Sequence, residues 1–345
     1  MKRTKSRMRI KIGTMMRNIV TSLLIFWLTV SPAWGWSLSG HKIIASIAFR
    51  QLTPAEQGRA VEVLKRHPRF MEDFADQMPE EIRGGEEPAR NEWVFQHASI
   101  WPDTIRSGPP EKTAFSRPEW HYINQPIFLN DAARGALEGK LPINVEKNPP
   151  ADATLDTMRM NVVQSLKFAR ERLASKETSP QDRAVLLAWV FHLVGDIHQP
   201  LHSSALVSQR LFAEGDRGGN SIKLKQNYNL HALWDGFPGE AMEFRVARNR
   251  GIEYAEDPKW QGVGKSAAES LQESVWLSES EKVARTIAYD SEVLAAVSKM
   301  EAAGAVEEIE LSERYLKTGG PIAEQRMVQA GYRLGAVLKT IVRRQ

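Results

Sequence analysis

The sequence contains no cysteine. The chain therefore forms no disulfide bonds, and thiolate metal ligands and a cysteine nucleophile are excluded. Stability has to come from the packing of a core, for which a 42% share of hydrophobic residues is sufficient, and from any bound metal. Chemistry in this chain must rest on its eight histidines, its Asp and Glu residues and its hydroxyl groups.

The N-terminal apolar run, residues 19–30, is too short to span a bilayer, which needs about 20 apolar residues. It follows a segment rich in Lys and Arg, and it precedes Ala33 and Gly35, the small residues that a signal peptidase requires. An uncleaved membrane anchor is the alternative, but this order is typical of a secretory signal. We predict that residues 1–35 are a cleaved signal peptide, and that the mature protein is periplasmic or secreted and has no membrane anchor.

The positive charge of the chain is concentrated in that segment. The whole sequence carries a net charge of +4, but residues 1–35 hold seven basic residues and no acidic ones. Their removal leaves 39 Lys and Arg against 42 Asp and Glu, a net charge of −3. Overall basicity therefore gives no support for nucleic-acid binding, and any such binding must be local.

The most informative stretch is residues 186–202, an apolar run interrupted by polar residues. Its first part predicts a buried helix in which His192 and Asp196, at i and i+4, project from the same face. Pro200 predicts that this helix ends or kinks near residue 197, so that His202 returns toward the same site. Zinc favours such nitrogen and oxygen ligands. The alternative is a buried His–Asp pair that only satisfies its own hydrogen bonds.

A second group of residues strengthens the metal interpretation. His231 and Asp235 repeat the i, i+4 spacing, while His41, Asp103 and His121 are predicted in loops or at helix ends. Together with the central stretch they supply five His and three Asp, more than one ion would use and suitable for two or three. By contrast, His198 falls on another face of the helix, and His67 and His97 have no partner at an informative spacing.

The rest of the chain is predicted to be mostly helical. Thr53-Pro54 and Ser179-Pro180 are typical helix starts. Residues 125–152 look irregular, and the alternation after the turn at 215–220 predicts a short strand or hairpin arm at 221–225. The other predicted helices cover residues 42–52, 54–65, 71–77, 155–176, 229–235, 240–256, 264–278, 281–302, 308–316 and 321–343. Because there is no internal repeat or long linker, we predict an all-α fold with one mostly helical domain at residues 36–345, allowing for a short β-hairpin.

The order of these motifs along the chain resembles the S1/P1 nuclease family, whose relatives include the bacterial zinc phospholipases C. The resemblance covers essentially all of the chain from Trp36 onward. Its motifs are Trp36 followed by His41, Trp101-Pro-Asp103-Thr-Ile-Arg106, Trp120-His121-Tyr122-Ile123, His192 to His202 with Gln-Pro-Leu, Gly215-Asp-Arg-Gly-Gly-Asn220, and Asn229-Leu-His231 to Asp235.

The resemblance implies an all-helical domain that holds three Zn²⁺ ions at the bottom of a cleft. It implies a first ligand set of Asp103, His121, His192 and Asp196. A second ligand set would comprise the free amine and carbonyl of Trp36 with His41 and the shared Asp196. A third ligand set would comprise His202, His231 and Asp235. Since the amine of Trp36 is free only after cleavage, removal of residues 1–35 would also activate the enzyme.

The activity that the resemblance implies is hydrolysis of single-stranded DNA and RNA to 5′-phosphate products, with a 3′-nucleotidase activity as a further expectation. Asp103 would position or deprotonate the attacking water, and Arg106 would contact phosphoryl oxygens with its planar fork. A surface arginine without a catalytic role is the alternative for Arg106. We expect nucleic acid and nucleotides as the substrates and a monomer as the active form.

Three further residues are candidate substrate contacts. Tyr122 occupies the family position where an aromatic ring stacks on a base; its alternative is a core tyrosine. Asn124 stands where the fungal enzymes have an aspartate, which puts base preference in doubt, and Gly236 replaces an asparagine of those enzymes. Asn220 is a candidate hydrogen-bonding residue near the metals, with a plain turn residue as its alternative.

Two other functions are compatible with these residues. A phospholipase C-like enzyme would use the same metals on a different leaving group, and a comparison of single-stranded DNA with phosphatidylcholine would separate the two activities. A zinc-binding protein without turnover is the third interpretation. The presence of Arg106 and of a complete ligand set argues against it.

Overall fold

The computed structural model describes residues 36–343, and the predicted signal peptide lies outside them. The described residues belong to one compact unit. The described chain is mostly helical, as predicted. Its α-helices are α1 Leu38–Arg50, α2 Pro54–Leu64, α3 Phe70–Asp73, α4 Glu80–Arg83, α5 Glu87–Thr104, α6 Pro110–Thr113, α7 Asp131–Leu137, α8 Val162–Ala174, α9 Pro180–Asp196, α10 Pro200–Ser203, α11 Leu230–Gly236, α12 Phe244–Glu256, α13 Pro258–Ala267, α14 Glu273–Val283, α15 Ser291–Ala303 and α16 Glu313–Val342.

Shorter helical turns complete the fold. Single 3₁₀ turns lie at Ala75–Gln77 and Pro118–His121, and a π-helical turn at Ala284–Ala288 follows α14. Among the described residues, no helix combines the length and apolar character that crossing a membrane requires.

The predicted helix starts are confirmed. Thr53 caps α2, since its hydroxyl accepts from the amide of Glu56 while the Glu56 carboxylate accepts from the Thr53 amide, and Pro54 occupies the first turn. Ser179 caps α9 in the same way, by accepting from the amide of Asp182. These local bonds satisfy amide groups that a helix start would otherwise leave without partners.

Helix α9 is the centre of the core. From Ala184 to Asp196 all of its residues are buried, so it is apolar around its whole circumference except where His192 and Asp196 interrupt it. Helices α5, α8 and α2 pack against it, and α1 packs on α5, α12 and α16. A helix covered on all sides is held rigidly, and the polar residues it carries are therefore fixed in position.

The β-structure differs from the prediction. Two short strands, β1 Gln125–Phe128 and β2 Ser204–Val207, pair in parallel, with Gln125 opposite Ser204. The predicted hairpin arm at 221–225 is wrong: this segment makes only single bridges, from Lys223 to Asn229 and from Leu224 to Ile309. Its alternation reflects burial of every second side chain, but the chain turns into the cap of α11 before a partner strand can form.

Some predicted boundaries are also wrong. Residues 125–152 contain β1 and α7 rather than only irregular structure, and α8 begins at Val162, where Asn161 caps it. The predicted helices 264–278 and 281–302 correspond to parts of α13, α14 and α15. Helix α16 continues through Pro321, because buried residues on both sides, Tyr315 and Ala323, keep it packed against the core.

Candidate metal centre and active site

The end of α9 brings three of the predicted ligands together. His192 and Asp196 lie one turn apart and are fully buried. The helix ends at Asp196, as the sequence predicted, and the short helix α10 returns His202 to within 3.6 Å of Asp196, measured from Nδ1 to Oδ1. The turn between the two helices therefore places both ends of the motif at one site.

The nitrogen and oxygen atoms of the first ligand set lie close together. Nδ1 of His121 and Nε2 of His192 are 2.9 Å apart, and each is 3.0 Å from Oδ2 of Asp196. Oδ1 of Asp103 lies 3.8 Å from both ring nitrogens. Zinc binds nitrogen and oxygen at about 2.0–2.2 Å in a tetrahedron, which places neighbouring ligand atoms roughly 3.3 Å apart. The two ring nitrogens and Oδ2 of Asp196 thus lie at the distances expected of ligands to one ion, and Oδ1 of Asp103 lies somewhat farther from the ring nitrogens.

The second ligand set adjoins the first through Asp196. Nε2 of His41 lies 3.3 Å from Oδ1 of Asp196, the oxygen that the first set does not use. Gly195 permits this approach, because a Cβ at that position would lie 2.7 Å from Nδ1 of His41. Trp36 is buried beside them, and its indole nitrogen donates to the carbonyl of Gly195 at 3.0 Å. The first described residue therefore lies next to the His41–Asp196 pair.

The third ligand set is built on α10 and α11. Nε2 of His202 and Nε2 of His231 are 3.1 Å apart, and the latter is 3.5 Å from Oδ2 of Asp235. The other oxygen of Asp235 accepts from the side-chain amide of Gln199 at 2.7 Å. Three potential ligand atoms again face one another, as the i, i+4 spacing predicted.

Backbone carbonyls orient the imidazoles. Nδ1 of His192 donates to the carbonyl of Ser99 at 2.8 Å. Nδ1 of His202 donates to the carbonyl of His121 at 2.6 Å. Nδ1 of His231 donates to the carbonyl of Gly218, also at 2.6 Å. In a neutral ring with this bond, Nε2 is the unprotonated nitrogen and directs its lone pair toward the site. These partners stabilise the tautomer that binds a metal.

Several buried polar atoms of these sets make no hydrogen bond within the described residues. They are both ring nitrogens of His41, Nε2 of His121, both carboxylate oxygens of Asp103 and Oδ1 of Asp196. A buried polar atom without a partner costs free energy, and such atoms are rare in native proteins. Their concentration at one site, with nitrogen and oxygen chemistry only, fits a bound cation. The chemistry of these residues therefore fits a bound metal ion.

The charge state of the site supports the same conclusion. Burial lowers the pKa of His41, and burial together with the positive charge of Arg106 lowers the pKa of His121 to about 3. Burial alone would lower the pKa of His192 as well, but the carboxylates of Asp196 and Asp103 outweigh it and raise that pKa. A metal cation would take the place of the proton that His192 otherwise attracts.

Both predicted catalytic residues lie at this site. Asp103 is fully buried at the end of α5, and Nε of Arg106 lies 3.1 Å from its Oδ1. The side chain of Arg106 is 18% exposed, so it joins the first ligand set to solvent. Its position beside a ligand distinguishes it from an ordinary surface arginine.

The predicted base contacts lie beside a pocket. Tyr122 is 38% exposed and is therefore not a core residue. Together with Asn124 and Glu119 it lines a pocket of about 220 Å³. Asn144 and Asn161 line it too, but their side chains are engaged with backbone groups and Gln164. The polar groups left to face a ligand are those of Tyr122, Asn124 and Glu119.

Asn220 closes the turn at residues 215–220. Its side-chain nitrogen donates to the carbonyl of Arg217 at 2.7 Å, and its oxygen lies 3.4 Å from the side-chain nitrogen of Asn229, the cap of α11. Gly218 has φ +61°, and a Cβ there would collide with the carbonyl oxygen of Leu201. The turn thus requires this glycine, whose own carbonyl orients His231.

Gln199, Asp216 and Tyr289 support the site, but sequence analysis assigned no specific role to them. Gln199 holds Asp235, and the buried carboxylate of Asp216 accepts from the amides of Leu206 and Gly219 at 2.8 and 3.0 Å. The hydroxyl of Tyr289 also donates to Asp216. Burial raises the pKa of Asp216 to about 6. The sequence signal for Gln199 and Asp216 was their position within the motifs at residues 192–202 and 215–220. Tyr289 lies in none of the motifs.

The remaining histidines lie outside the ligand sets. His198 donates from Nδ1 to the carbonyl of Val194 and accepts at Nε2 from Arg333. His67 packs edge-on against Trp101, and His97 stacks on Trp93. The exclusion of all three from the predicted ligands agrees with these positions.

Comparison with known proteins supplies the relationship that this geometry suggests. The family model described as S1/P1 Nuclease matches residues 36–343. The chain is similar to Endonuclease 2 of Arabidopsis thaliana, with 25% identity over 94% of this chain and 97% of that protein. It is similar also to Nuclease S1 of Aspergillus oryzae, with 29% identity over 45% of this chain and 53% of that one. The chain therefore belongs to the S1/P1 nuclease family and is a hydrolase acting on phosphodiester bonds.

Proposed function

We propose that this protein is a zinc-dependent endonuclease that cleaves single-stranded DNA and RNA and leaves 5′-phosphate ends, with 3′-nucleotides as additional substrates. The observation that carries this proposal is the junction of three buried His/Asp groups, in which Oδ1 of Asp196 faces His41 while Oδ2 faces His121 and His192. One carboxylate whose two oxygens face different ligand sets is suited to bridge neighbouring ions.

The donor set favours zinc as the metal and three ions as the number. Imidazole nitrogens and carboxylate oxygens, with no thiolate, are typical of catalytic zinc sites, and the two ring nitrogens and Oδ2 of Asp196 lie 2.9–3.0 Å from one another, close to the spacing of zinc ligands. Calcium and magnesium favour oxygen ligands and higher coordination numbers, which five histidines do not provide. Zinc would lower the pKa of a bound water from 15.7 to about 7 and would neutralise charge on phosphoryl and leaving oxygens.

The chain itself supplies orientation and charge. Asp103, fully buried, would hold a water by accepting its hydrogen bond and would receive its proton. Arg106 extends from Asp103 toward solvent, where its guanidinium would bind two oxygens of the scissile phosphate. Neither residue has to form a covalent bond to the substrate.

A preference for single strands follows from the position of Tyr122. Its partly exposed ring lines the pocket that also contains Asn124, and a base stacked there has to leave its neighbours in the strand. Unpaired bases do this at low cost, whereas a duplex must first open. The amide of Asn124, which both donates and accepts hydrogen bonds, would read the edge of the stacked base.

Export and activation are coupled in this proposal. Removal of residues 1–35 would free the amine of Trp36, which lies buried next to Gly195 and close to the second ligand set. The amine and carbonyl of Trp36 would then complete that set. The enzyme would act as a monomer in the periplasm or outside the cell.

The proposal is tested with protein that begins at Trp36, and with a control that carries one extra alanine before it. We expect the first protein to cleave single-stranded DNA, to lose activity on chelation and to regain it with zinc. The control should lack the ion of the second set and cleave poorly. Duplex DNA, a 3′-nucleotide and phosphatidylcholine are compared in parallel. Zinc-loaded protein that cleaves phosphatidylcholine but not DNA would contradict the proposal.

A further inference from the structure

The third ligand set depends on one backbone carbonyl. Nδ1 of His231 donates to the carbonyl of Gly218 at 2.6 Å, so the position of Gly218 decides where Nε2 of the same ring points. A Cβ on Gly218 would collide with the carbonyl oxygen of Leu201, the residue before His202. The turn at residues 215–220 therefore lies directly between the two histidines of this set.

A buried carboxylate holds this turn in place. Asp216 accepts from the amide of Leu206 at 2.8 Å and from the amide of Gly219 at 3.0 Å. Leu206 lies in β2, which follows α10 without a break, so the first bond ties the turn to the element that carries His202. An ionised carboxylate has about four acceptor positions, and two amides leave room for a further donor.

Tyr289 supplies that donor. Its hydroxyl lies 3.0 and 2.9 Å from the two carboxylate oxygens of Asp216, and both side chains are fully buried. Burial and the negative charge of Asp216 raise the pKa of Tyr289 well above its usual value, so the hydroxyl keeps the proton that it donates. Hydrogen bonds to charged groups are stronger than bonds between neutral groups. This contact therefore holds the turn firmly from a distant part of the chain.

Tyr289 directly follows the π-helical turn at Ala284–Ala288. Its amide closes that turn by donating to the carbonyl of Ala284 at 2.8 Å, five residues earlier in the chain. Turns with this i→i+5 bond are rare and occur frequently at functional sites. The turn also packs against α10, the helix that carries His202. Tyr289 thus reaches Asp216 from an element that borders the third ligand set.

The same π-helical turn holds the helix that carries His231. The hydroxyl of Tyr315 donates to the carbonyl of Ala288 at 2.8 Å and accepts from the indole nitrogen of Trp234 at 2.9 Å. Trp234 is buried on α11, between His231 and Asp235. One chain of contacts thus holds the ring of His231 and another holds its helix, and both lead to the π-helical turn.

We propose that Tyr289 is a positioning residue for the third zinc ion: its hydroxyl holds Asp216, which keeps the Gly218 carbonyl where it orients His231. This inference rests on the proposed function, because it assigns a role at one of the three zinc ions. Groups in a buried hydrogen-bonded network have few alternative arrangements. Loss of the Tyr289 hydroxyl would therefore let the turn at residues 215–220 shift relative to α11.

The effect should be confined to one ion. The first ligand set is oriented by other groups, such as the carbonyl of Ser99 at His192. A general loss of stability would instead weaken the binding of all three ions. The affinities of the other two ions therefore serve as an internal control in each variant.

The test uses three variants of the protein that begins at Trp36. Tyr289→Phe removes the hydroxyl and keeps the ring, and Asp216→Asn keeps the shape of the carboxylate but replaces one acceptor with a donor. Tyr254→Phe is the matched control: its buried hydroxyl donates to the carboxylate of Glu324 at 2.9 Å, and it lies on α12, which carries none of the proposed ligands.

Two measurements are made on each protein. Competition with a chelator gives the affinity of each zinc ion. Nuclear magnetic resonance gives the rates at which the Gly219 amide proton and the Nδ1 proton of His231 exchange with solvent. These protons belong to the bonds that hold the turn and orient the ring. Their exchange reports local opening and does not depend on catalysis.

For Tyr289→Phe we expect the affinity of one ion to fall about tenfold, the low end of the range for loss of an orienting partner, because Tyr289 acts through Asp216. For Asp216→Asn we expect a fall of about 100-fold, since the asparagine nitrogen cannot accept from a backbone amide. Both variants should exchange the two protons faster than the wild type. Tyr254→Phe should match the wild type in affinity and exchange.

Equal weakening of all three ions, or the same loss in Tyr254→Phe, would overturn the positioning role. Faster exchange with unchanged zinc affinity would overturn it as well, since the contact would then be structural only. Tyr289→Phe decides the question by itself if Asp216→Asn does not fold. Wild-type protein that bound no zinc would contradict the proposed function instead. The exchange rates of Gly219 and His231 in that protein would still show whether Tyr289 holds the turn.

Discussion

Two buried polar clusters lie at the C-terminal end of α9, and they differ in whether their hydrogen bonds are satisfied. At the metal centre, Asp103, His41 and Asp196 retain buried atoms without a hydrogen-bond partner. Two residues beyond Asp196, His198 belongs to a cluster with Arg333 and Arg326 on α16 and Glu279 on α14. Both clusters contain histidine and carboxylate, so composition alone does not separate them.

The second cluster is complete without a ligand. The carboxylate of Glu279 accepts from Arg326 and Arg333, with distances of 2.6 to 2.8 Å. The remaining guanidinium nitrogens donate to the hydroxyl of Ser280 and to the carbonyls of Ala267 and His198. Both ring nitrogens of His198 are also bonded. Burial and the two arginines lower the pKa of His198 well below its usual value, so it stays neutral. A buried cluster whose groups are all satisfied needs no ligand, whereas a concentration of unsatisfied groups at one site is explained by a bound ion.

The largest effect on the metal centre is expected for Asp196→Asn. This residue presents one oxygen to the first ligand set and the other to the second. We expect the zinc content to fall from three ions to about one per chain and DNA cleavage to fall by at least about 10³-fold, because bound metal supplies several kcal/mol of transition-state stabilisation. Elemental analysis and cleavage rates measure this. A variant that keeps three zinc ions would remove Asp196 from the bridging role.

A smaller effect is expected for Gln199→Leu. Gln199 is buried and donates to Asp235 at 2.7 Å, and leucine has a similar size. Loss of a partner that orients a ligand weakens metal binding by about 10- to 100-fold. Titration with a competing chelator should show this loss for one of the three ions. Unchanged affinity for all three would show that Gln199 does not orient the third ligand set.

The smallest effect on the metal centre, and a large effect on stability, is expected for Glu279→Ala. This change leaves Arg326 and Arg333 buried without their carboxylate, which we expect to lower the free energy of unfolding by about 3 kcal/mol. We take the low end of the usual range because Glu279 is one-third exposed. Denaturant unfolding measures the loss, while zinc content and kcat should stay unchanged. A fall in zinc content would make the two clusters one functional unit.

The sequence predicted the candidate ligands better than the groups that orient them. His192 and Asp196 could be placed on one helical face from spacing alone, and Pro200 correctly predicted the end of α9. The motif order then implied the remaining candidate ligands and identified the family. By contrast, the carbonyls of Ser99 and Gly218 orient His192 and His231 through backbone atoms, which residue identity does not encode.

The fold was predicted in class and less well in detail. The pairing of β1 with β2 joins segments about 80 residues apart, each only four residues long, and Pro126 in β1 weakens its strand signal. Helix α16 continues through Pro321 because packing on both sides outweighs the lost backbone hydrogen bond. Such tertiary effects override local propensity and are not visible in a single sequence.

The most direct test of this account is the number of zinc ions bound by protein that begins at Trp36, measured after dialysis against metal-free buffer and compared with Asp196→Asn. The account predicts three ions per chain for the wild type and about one for the variant, with both proteins folded. A folded wild-type protein that binds no zinc would contradict the central claim.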